Sequence, residues 1–338
     1  MFGNFKFLLY NHYIKITKDA EKKGKKMESL ILSFNSVMPV FLLMLTGYIL
    51  KSLKLADKKG FDTINKLVFR AFLPTLLFYN IYKTENADVV NPKLIVFSIV
   101  GTLIVFTAGY IAVMLITKDN SKRGVMLQGF FRSNYAILGI PVIEYICRGK
   151  QSGLSSLMVA VVVPVFNVLA VICLERFRNG KPGIGKLLKG IITNPLIVGC
   201  MLGLVFCLTG IKLPGVVEKA VSDVAKIASP LAIIVLGASF NFGSLKGCVR
   251  ELIITVAARL VIVPAIAVFF AVLMGFNGEA LACILIAFGA PVAVSSFSMA
   301  QQMGGDENLA AQVVVLSSVL CLFTLFGWIY LLGSMGLF

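Results

Sequence analysis

Gly139-Ile140-Pro141-Val142 and, 150 residues later, Gly289-Ala290-Pro291-Val292 are two versions of one motif. Two other proline pairs recur at a spacing of 156 residues: Pro39 with Pro195, and Pro74 with Pro230. Self-similarity at a nearly fixed spacing is the signature of a duplicated structural unit. The chain is therefore predicted to consist of two copies of one unit, each with an interruption that contains glycine and proline.

The composition places both copies in a membrane. Apolar residues make up 58% of the 338 residues and charged residues only 14%, a balance that soluble globular proteins do not show. Crossing a bilayer takes about 20 apolar residues. Ten stretches qualify as predicted spans 1 to 10: approximately 30–50, 64–82, 94–117, 124–146, 154–174, 191–209, 225–240, 252–275, 280–303 and 309–337. Span 7 is short and is predicted to begin earlier, near Val217. Their apolar residues do not alternate with polar ones, which favours an all-α polytopic protein over a transmembrane barrel.

Five spans in each copy have a geometric consequence. An odd number makes the second copy enter the membrane from the opposite side, so the copies form an inverted repeat around an axis in the membrane plane. The predicted segments are a basic N-terminal tail (1–27), a first five-helix repeat (28–175), a basic linker (176–189) and a second five-helix repeat (190–338).

The distribution of basic residues predicts the orientation. The loops after spans 1, 3, 5 and 7 hold 16 Lys and Arg residues, and the opposite loops hold seven. The positive-inside rule makes the first set cytoplasmic and both chain termini external, in a multi-pass protein of the cell membrane. Residues 1–26 carry seven lysines and disagree. We hypothesise that native translation starts at Met27, which N-terminal sequencing of the native protein would test. The tail lacks the pattern of a secretory signal peptide.

The remaining composition argues against several function classes. The net charge of +16 comes from lysines and arginines in short loops beside apolar spans, where topology and anionic lipid account for them and nucleic-acid binding does not. Seven cysteines are scattered singly, and His12 is the only histidine. No metal site is therefore predicted. An intramembrane hydrolase is not expected either, because Ser295 and Ser296 have no histidine partner and no His-Glu-x-x-His motif occurs. The sequence also has no phosphate-binding loop, which argues against ATP-driven pumping.

Polar residues concentrate where spans 4 and 9 are interrupted. Proline removes a backbone donor, and glycine tolerates irregular backbone. Non-helical backbone at membrane depth is tolerated only inside protein or beside a wet cavity, and paired broken helices in inverted repeats mark a midplane substrate site. The candidate site residues in these two spans are Arg132, Asn134, Tyr135, Gly139 and Pro141 in span 4, and Gly289, Pro291, Ser295 and Ser296 in span 9. The alternative is that each interruption is only a packing kink.

The charges near the breaks predict an anionic substrate. A half-helix that starts near Pro141 or Pro291 directs its positive dipole end at the break. Arg132, just before the first break, and Arg259, in the middle of span 8, add formal charge. The alternative for Arg132 is that its side chain snorkels to the cytoplasmic interface. The depth of Arg259 in the membrane makes snorkelling harder for that residue. Asn80 and Asn241 are predicted to be helix caps.

Six groups of residues occur in an order that is specific as a set. They are Gly47-Tyr48-Ile49-Leu50, Phe72-Leu73-Pro74-Thr75-Leu76-Leu77-Phe78, Arg132 to Pro141, Thr193-Asn194-Pro195-Leu196, Ser229-Pro230-Leu231-Ala232 with Leu236-Gly237-Ala238-Ser239, and Ala290 to Val294 with Ala300 to Asp306. From about Met27 to the C-terminus the chain thereby resembles the bacterial branch of the auxin efflux carrier family.

The resemblance implies a ten-helix fold like that of bile acid symporters and sodium/proton antiporters. Helices 4 and 9 cross at their breaks, with Pro141 and Pro291 as the crossover prolines and Asn134 with Tyr135 on the polar approach. It also implies a scaffold domain (helices 1, 2, 6 and 7), a transport domain (helices 3 to 5 and 8 to 10) and an elevator-like movement between them. Known members carry plant auxin or bacterial dicarboxylates such as malate.

Two departures from the plant carriers bear on the substrate. The middle loop, 175–189, is short, and Arg132 precedes Asn134. The second departure puts auxin in doubt and favours a smaller, more highly charged acid. The expected function is a secondary carrier of organic anions; the alternative is a channel-like facilitator for small solutes or ions. No cofactor is expected, sodium or proton coupling is left open, and the expected partners are the anion and the lipid bilayer. The sequence does not set the oligomeric state, which leaves a homodimer open.

Overall fold

The protein is a bundle of α-helices. A computed structural model describes residues 38–84, 91–147, 153–178, 184–240 and 247–338. The helices are α1 (Met38–Ser52), α2 (Lys58–Leu67), α3 (Leu73–Tyr82), α4 (Pro92–Ile116), α5 (Asn120–Phe131), α6 (Ile140–Ile146), α7 (Gly153–Phe177), α8 (Ile184–Ile192), α9 (Pro195–Thr209), α10 (Gly215–Ser239), α11 (Val249–Ala257), α12 (Val263–Leu273), α13 (Gly278–Gly289), α14 (Ser295–Met303) and α15 (Glu307–Ser334).

Within the described residues, three short π-helical segments lie between these helices. Val68–Phe72 joins α2 to α3, Ala258–Ile262 joins α11 to α12, and Tyr135–Gly139 precedes α6. Pro74 and Pro264 follow the first two segments, in the first turn of α3 and α12. A proline inside a helix lacks a donor and clashes with the carbonyl four residues earlier. A wider π turn just before the proline is a recognised way in which a helix accommodates such a disturbance.

Length and composition make this an all-α membrane protein. Within the described ranges, five helical stretches are long and apolar enough to cross a bilayer: α4, α7, α10, α11 with α12, and α15. Large apolar side chains such as Leu115 and Leu208 are more than 80% exposed on the outside of the bundle, where a lipid environment accommodates them. The predicted early start of span 7 is confirmed, because α10 begins at Gly215.

Glycines bring α1, α3, α9 and α10 into close contact. A Cβ atom at Gly237 of α10 would lie 2.0 Å from the carbonyl oxygen of Met44, and one at Gly47 would lie 1.9 Å from that of Ile234. A Cβ atom at Gly199 of α9 would lie 2.4 Å from the carbonyl oxygen of Pro74. Small residues at a helix interface allow the backbones themselves to touch, which is how membrane helices associate without a hydrophobic driving force.

The helical structure of predicted spans 4 and 9 is broken, as the sequence predicts. In span 4, α5 ends at Phe131, residues 132–134 are non-helical, and the π segment Tyr135–Gly139 leads into α6. In span 9, α13 ends at Gly289, residues 290–294 are non-helical, and α14 begins at Ser295. The second half-helix of span 4, α6, begins at Ile140, next to Pro141, as predicted. The π segment Tyr135–Gly139 precedes it, so the non-helical break of span 4 lies upstream of Pro141. Pro291 lies within the break of span 9, and α14 begins four residues later, at Ser295.

Polar contacts join the loops into two groups. The first group joins the segments after α1, α4, α10 and α14: Lys58 with Glu307 (2.9 Å), Lys122 with Glu251 (3.3 Å), and the Asp306 amide with the Ser121 carbonyl (3.2 Å). The second group joins the segments after α3, α9, α12 and α15: Lys83 with Glu218 (2.6 Å), and the Gly278 amide with the Leu337 carbonyl (2.8 Å). The predicted tail, the Met27 start, Asn241 and residues 179–183 of the linker lie outside the described residues.

Candidate functional site

The two breaks cross and bond to each other. The amide of Asn134 donates to the carbonyl of Pro291 at 2.8 Å, and Ser133 pairs with Val292 in an isolated antiparallel bridge. The Ser133 hydroxyl also donates to the carbonyl of Ile286, in the last turn of α13, at 2.9 Å. Buried backbone polar groups need partners, and each break supplies partners for the other. The crossing is therefore a two-sided structure that neither span could form alone.

Arg132 lies at this crossing and is 3% exposed. It follows the last residue of α5, and its guanidinium donates to side chains of three helices, α5, α7 and α14. The partners are Gln128 Oε1 of α5 (3.0 Å), Asn167 Oδ1 of α7 (2.6 Å), Ser295 Oγ of α14 (2.9 Å) and the sulfur of Met299. All four partners are neutral. The predicted alternative, in which Arg132 snorkels to the interface, does not apply, because the side chain is buried and held in place.

Among the described residues, no carboxylate pairs with Arg132, because the ion pairs there all involve lysines or Arg178. Removing an ion from water costs several kcal/mol unless a counter-charge or several good hydrogen bonds compensate. Among the described residues Arg132 has the hydrogen bonds but no counter-charge, so an anion that reached it would supply that counter-charge.

Arg259 is also completely buried but has different partners. It lies in the π segment Ala258–Ile262. Its guanidinium donates to backbone carbonyls: Nε to Ala290 (2.7 Å), Nη2 to Ala287 (3.0 Å) and Nη1 to Phe130 (3.3 Å). These carbonyls belong to the C-terminal ends of α5 and α13, where the helices stop. Arg259 therefore contacts the framework of the crossing.

A cavity of about 60 Å³ lies beside the crossing. Its apolar wall comes from α3, α7 and α10, and its polar wall comes largely from the two breaks. The described residues that line it with polar side chains are Asn80, Arg132, Ser133, Asn134, Asn167, Ser229 and Ser295. Apolar walls with a few converging polar groups are a feature of small-molecule sites, which usually enclose about 300–1,000 Å³ and are therefore larger than this cavity.

The structure brings together three of the ten predicted site residues at this cavity: Arg132, Asn134 and Ser295. Tyr135, Gly289, Pro291 and Ser296 belong to the crossing but are not among the lining residues. A Cβ atom at Gly139 would lie 3.0 Å from Ile286, which indicates that this glycine allows the two spans to pack closely. Pro141 lies in α6, and its side chain is outside the described part of the structure.

Four polar residues line the cavity but were not among the predicted site residues: Asn80, Ser133, Asn167 and Ser229. Asn80 was predicted to be a helix cap, but α3 continues to Tyr82 and Asn80 lines the cavity. Asn167 could have been found, because it is an amide in the middle of the apolar stretch of span 5, and polar residues at that depth are costly and usually functional. Ser229 directly precedes Pro230 and carried no separate signal.

A second polar set joins α2 to α14 and the start of α15. We call it the α2–α14 contact, and its members are Lys58, Asp62, Asn65, Ser298, Gln301 and Glu307. The Ser298 hydroxyl donates to Asn65 Oδ1 (2.7 Å), and Asn65 in turn donates to Gln301. The Gln301 amide donates to Asp62 (2.9 Å) and Glu307 (3.0 Å). A hydrogen bond from Lys58 to Glu307 and the carboxylate charge raise the pKa of Lys58.

Within the described ranges, no group of three or more His, Cys, Asp and Glu residues is arranged to hold a metal ion. The polar lining of the cavity can supply recognition of a small ligand by an arginine, amides and hydroxyls.

Three curated proteins are similar to this chain over nearly their whole length. An uncharacterized transporter from Methanothermobacter thermautotrophicus is 24% identical over 301 residues, which cover 88% of this chain and 97% of that protein. A protein from Rhizobium meliloti named "Putative malonate transporter" is 22% identical, with 88% of this chain and 95% of that protein covered. An uncharacterized transporter from Methanocaldococcus jannaschii is 23% identical, with 87% and 98% covered.

The family comparison matches the chain twice. The model for a family described as membrane transport proteins matches residues 32–184 and again residues 183–329. Two matches to one model agree with the duplication that the paired prolines predict. The protein therefore belongs to the auxin efflux carrier family of membrane transport proteins.

Proposed function

We propose that this transporter is a secondary carrier for small organic anions, and that it binds the carboxylate of its substrate at Arg132 in the cavity beside the crossing. One observation carries the proposal: Arg132 is buried, lines the cavity, and has neutral hydrogen-bond partners throughout the described part of the chain. A carboxylate is the natural counter-ion, because its planar pair of oxygens matches the guanidinium fork once it displaces two of the neutral acceptors that now occupy the Nη atoms.

The malonate name of one relative and a second feature of the cavity favour a dicarboxylate. The cavity is also lined by Val294 and Ser295, where α14 begins. The start of a helix carries a partial positive charge of about half a unit and attracts anions. A short diacid would place one carboxylate at Arg132 and direct the other towards this helix start.

The proposed architecture is two inverted repeats of five membrane-crossing helices. In this arrangement α1, α2 with α3, α9 and α10 form a scaffold, and the remaining helices form a transport domain. The glycine contacts between α1 and α10 and between α3 and α9 support the first group. The cavity is lined by α3 and α10 on one side and by both breaks on the other. A site at such an interface suits an elevator movement, in which the crossing carries the substrate past α3 and α10.

The proposed location is the cell membrane, with both termini outside. The grouping of the loop contacts supports a chain whose successive loops lie on alternate sides of the membrane. The segments joined by the Lys58–Glu307 and Lys122–Glu251 pairs are the lysine- and arginine-rich ones. These segments are predicted to face the cytoplasm. Labelling of single cysteines in place of Lys58 and Lys83 with an impermeant reagent on intact cells tests this: only the second should react.

The deciding experiment is malonate uptake into proteoliposomes that contain the purified protein, with malate, indole-acetate and a neutral amino acid as comparisons. A saturable uptake of a dicarboxylate, accelerated by the same anion trapped inside, is expected of a carrier. Arg132→Met should abolish it, whereas Arg250→Met, an exposed arginine on α11, should not. Repeating the assay with sodium or pH gradients identifies the coupling ion. Flux that rises linearly with concentration would favour the channel alternative, and equal uptake by the Arg132→Met variant would overturn the proposed site.

A further inference from the structure

The ends of two helices meet at the crossing with the same sign of partial charge. α5 ends at Phe131 and α13 ends at Gly289, and the two breaks that follow are bonded to each other. The last four carbonyls of a helix have no partner within the helix, and together they carry a partial negative charge of about half a unit. Two such ends brought together in a low-dielectric interior repel each other, and their carbonyls need donors.

Arg259 supplies both a positive charge and the donors. Its three hydrogen bonds reach the carbonyls of Ala287 and Ala290 at the end of α13 and of Phe130 at the end of α5. The planar guanidinium carries five N–H donors in a fixed geometry, so one side chain can serve several carbonyls at once. The three bonds use its Nε, Nη1 and Nη2 atoms, and Arg259 is not among the described residues that line the cavity.

The second repeat alone provides this arginine. A spacing of 156 residues places Leu103 opposite Arg259 in the first repeat, and a spacing of 150 places Gly109 there. Both positions are apolar, and a Cβ atom at Gly109 would press against the ring of Phe130 at 2.9 Å. The single guanidinium therefore donates to the helix ends of both repeats. The crossing is asymmetric, because this positive charge comes from the second repeat alone.

We propose that Arg259 is a positioning residue: it holds the two broken helices together at their carboxyl ends and sets the geometry of the crossing, without contacting the substrate. From the sequence, its charge suggests the different role of a substrate ligand. The test of the positioning role by transport kinetics rests on the proposed function. The two roles predict different kinetics, because a ligand changes affinity and a positioning residue changes the rate of the step that moves the crossing.

The test compares Arg259→Lys and Arg259→Met with Arg250→Met on the same span. Lysine keeps the charge but replaces the rigid fork with a single ammonium. In Arg259→Lys we expect the KM for malonate uptake to stay within about twofold of the wild type, because substrate contacts are intact, and the maximal rate to fall about tenfold. A KM that rises about tenfold at an unchanged maximal rate would overturn the proposal in favour of a ligand role.

A second readout needs no substrate. The Asn134 amide donates to the Pro291 carbonyl, so we expect this hydrogen bond to protect it from hydrogen exchange. If Arg259 sets the crossing, exchange at Asn134 should accelerate about tenfold or more in Arg259→Met and less in Arg259→Lys, while α9 stays protected as in the wild type. Unchanged exchange at Asn134 in both variants would overturn the proposal. If wild-type protein takes up no malonate, the proposed function fails, and the exchange experiment still decides the role of Arg259. If Arg259→Met does not fold, Arg259→Lys carries both readouts.

Discussion

The amide of Asn134 donates a hydrogen bond to the carbonyl of Pro291 at 2.8 Å, across 157 residues of sequence and between the two copies of the repeat. Proline cannot donate a backbone hydrogen bond, but its carbonyl accepts one. The backbone groups exposed by the two breaks thus bond partly to each other. The breaks also leave room beside the crossing for the cavity. Arg132 reaches this cavity because it lies at the point where α5 ends.

The first prediction concerns the amide that holds Arg132. Asn167 accepts a hydrogen bond from the guanidinium at 2.6 Å. Asn167→Asp would place a permanent carboxylate there, and this internal ion pair would compete with the substrate for Arg132. A charge-assisted hydrogen bond is worth about 1.5–3 kcal/mol, so the affinity for malonate should fall by roughly tenfold to a hundredfold. Thermal-shift titration of the purified protein with malonate measures this.

The matched control for Asn167→Asp is Asn194→Asp. Asn194 is also a buried asparagine, and its side chain caps α9 by accepting from the Leu196 amide at 3.0 Å. Aspartate is as good an N-cap as asparagine, so this variant adds the same charge away from Arg132 and should bind malonate as the wild type does. Equal weakening in both variants would mean that general negative charge, and not a contact with Arg132, lowers the affinity.

The second prediction concerns the contact between α1 and α10. A Cβ atom at Gly237 would lie 2.0 Å from the Met44 carbonyl oxygen, so Gly237→Val must push the two helices apart. Overpacking of this kind costs about 1–3 kcal/mol. Gly327→Val in α15 is the control, because a Cβ atom at Gly327 meets nothing within 4 Å. Gly237→Val should lower the melting temperature in detergent clearly more than Gly327→Val, and equal melting temperatures would contradict the close approach of the backbones.

The sequence predicts correctly that both spans are interrupted, because glycine and proline disturb a helix. In span 9 the motif locates the break, since the non-helical residues 290–294 include Pro291. In span 4 the break at residues 132–134 precedes Gly139 and Pro141, which lie in the π segment and in α6. The hydrogen bonds of the backbone at each break are not set locally, because they depend on the other span: the Pro291 carbonyl accepts from the Asn134 amide, and α14 begins at Ser295, four residues after Pro291.

The site is predicted only in part, for a related reason. The sequence identifies Arg132 and Arg259 as charges that are costly to bury in a membrane. That argument gives both residues the same role, binding of the anion. The structure separates them by their partners: side chains beside a cavity for Arg132, and backbone carbonyls for Arg259. Asn167 and Asn80 lie on other spans, and only the packing of those spans brings them to the cavity.

The third prediction concerns the α2–α14 contact. An elevator movement requires α14 to slide past α2, so the bonds of Asn65 with Ser298 and Gln301 must break in every transport cycle. Cysteines at positions 65 and 298, in a protein whose seven native cysteines are replaced, should be bridged by a mercuric ion. We expect the bridge to abolish malonate uptake and an excess of dithiothreitol to restore it, because the tether fixes one of the two states that transport needs.

The control for this tether is a cysteine pair within the proposed transport domain. A Cβ atom at Gly305 would lie 3.2 Å from Val125, and both residues would move together in an elevator. Bridging cysteines at 125 and 305 should therefore leave uptake unchanged. Inhibition by both bridges would mean that the metal ion itself disturbs the protein. Full activity of the bridged 65–298 pair would exclude a movement of α14 past α2, and the anion would then have to cross by local opening around Arg132.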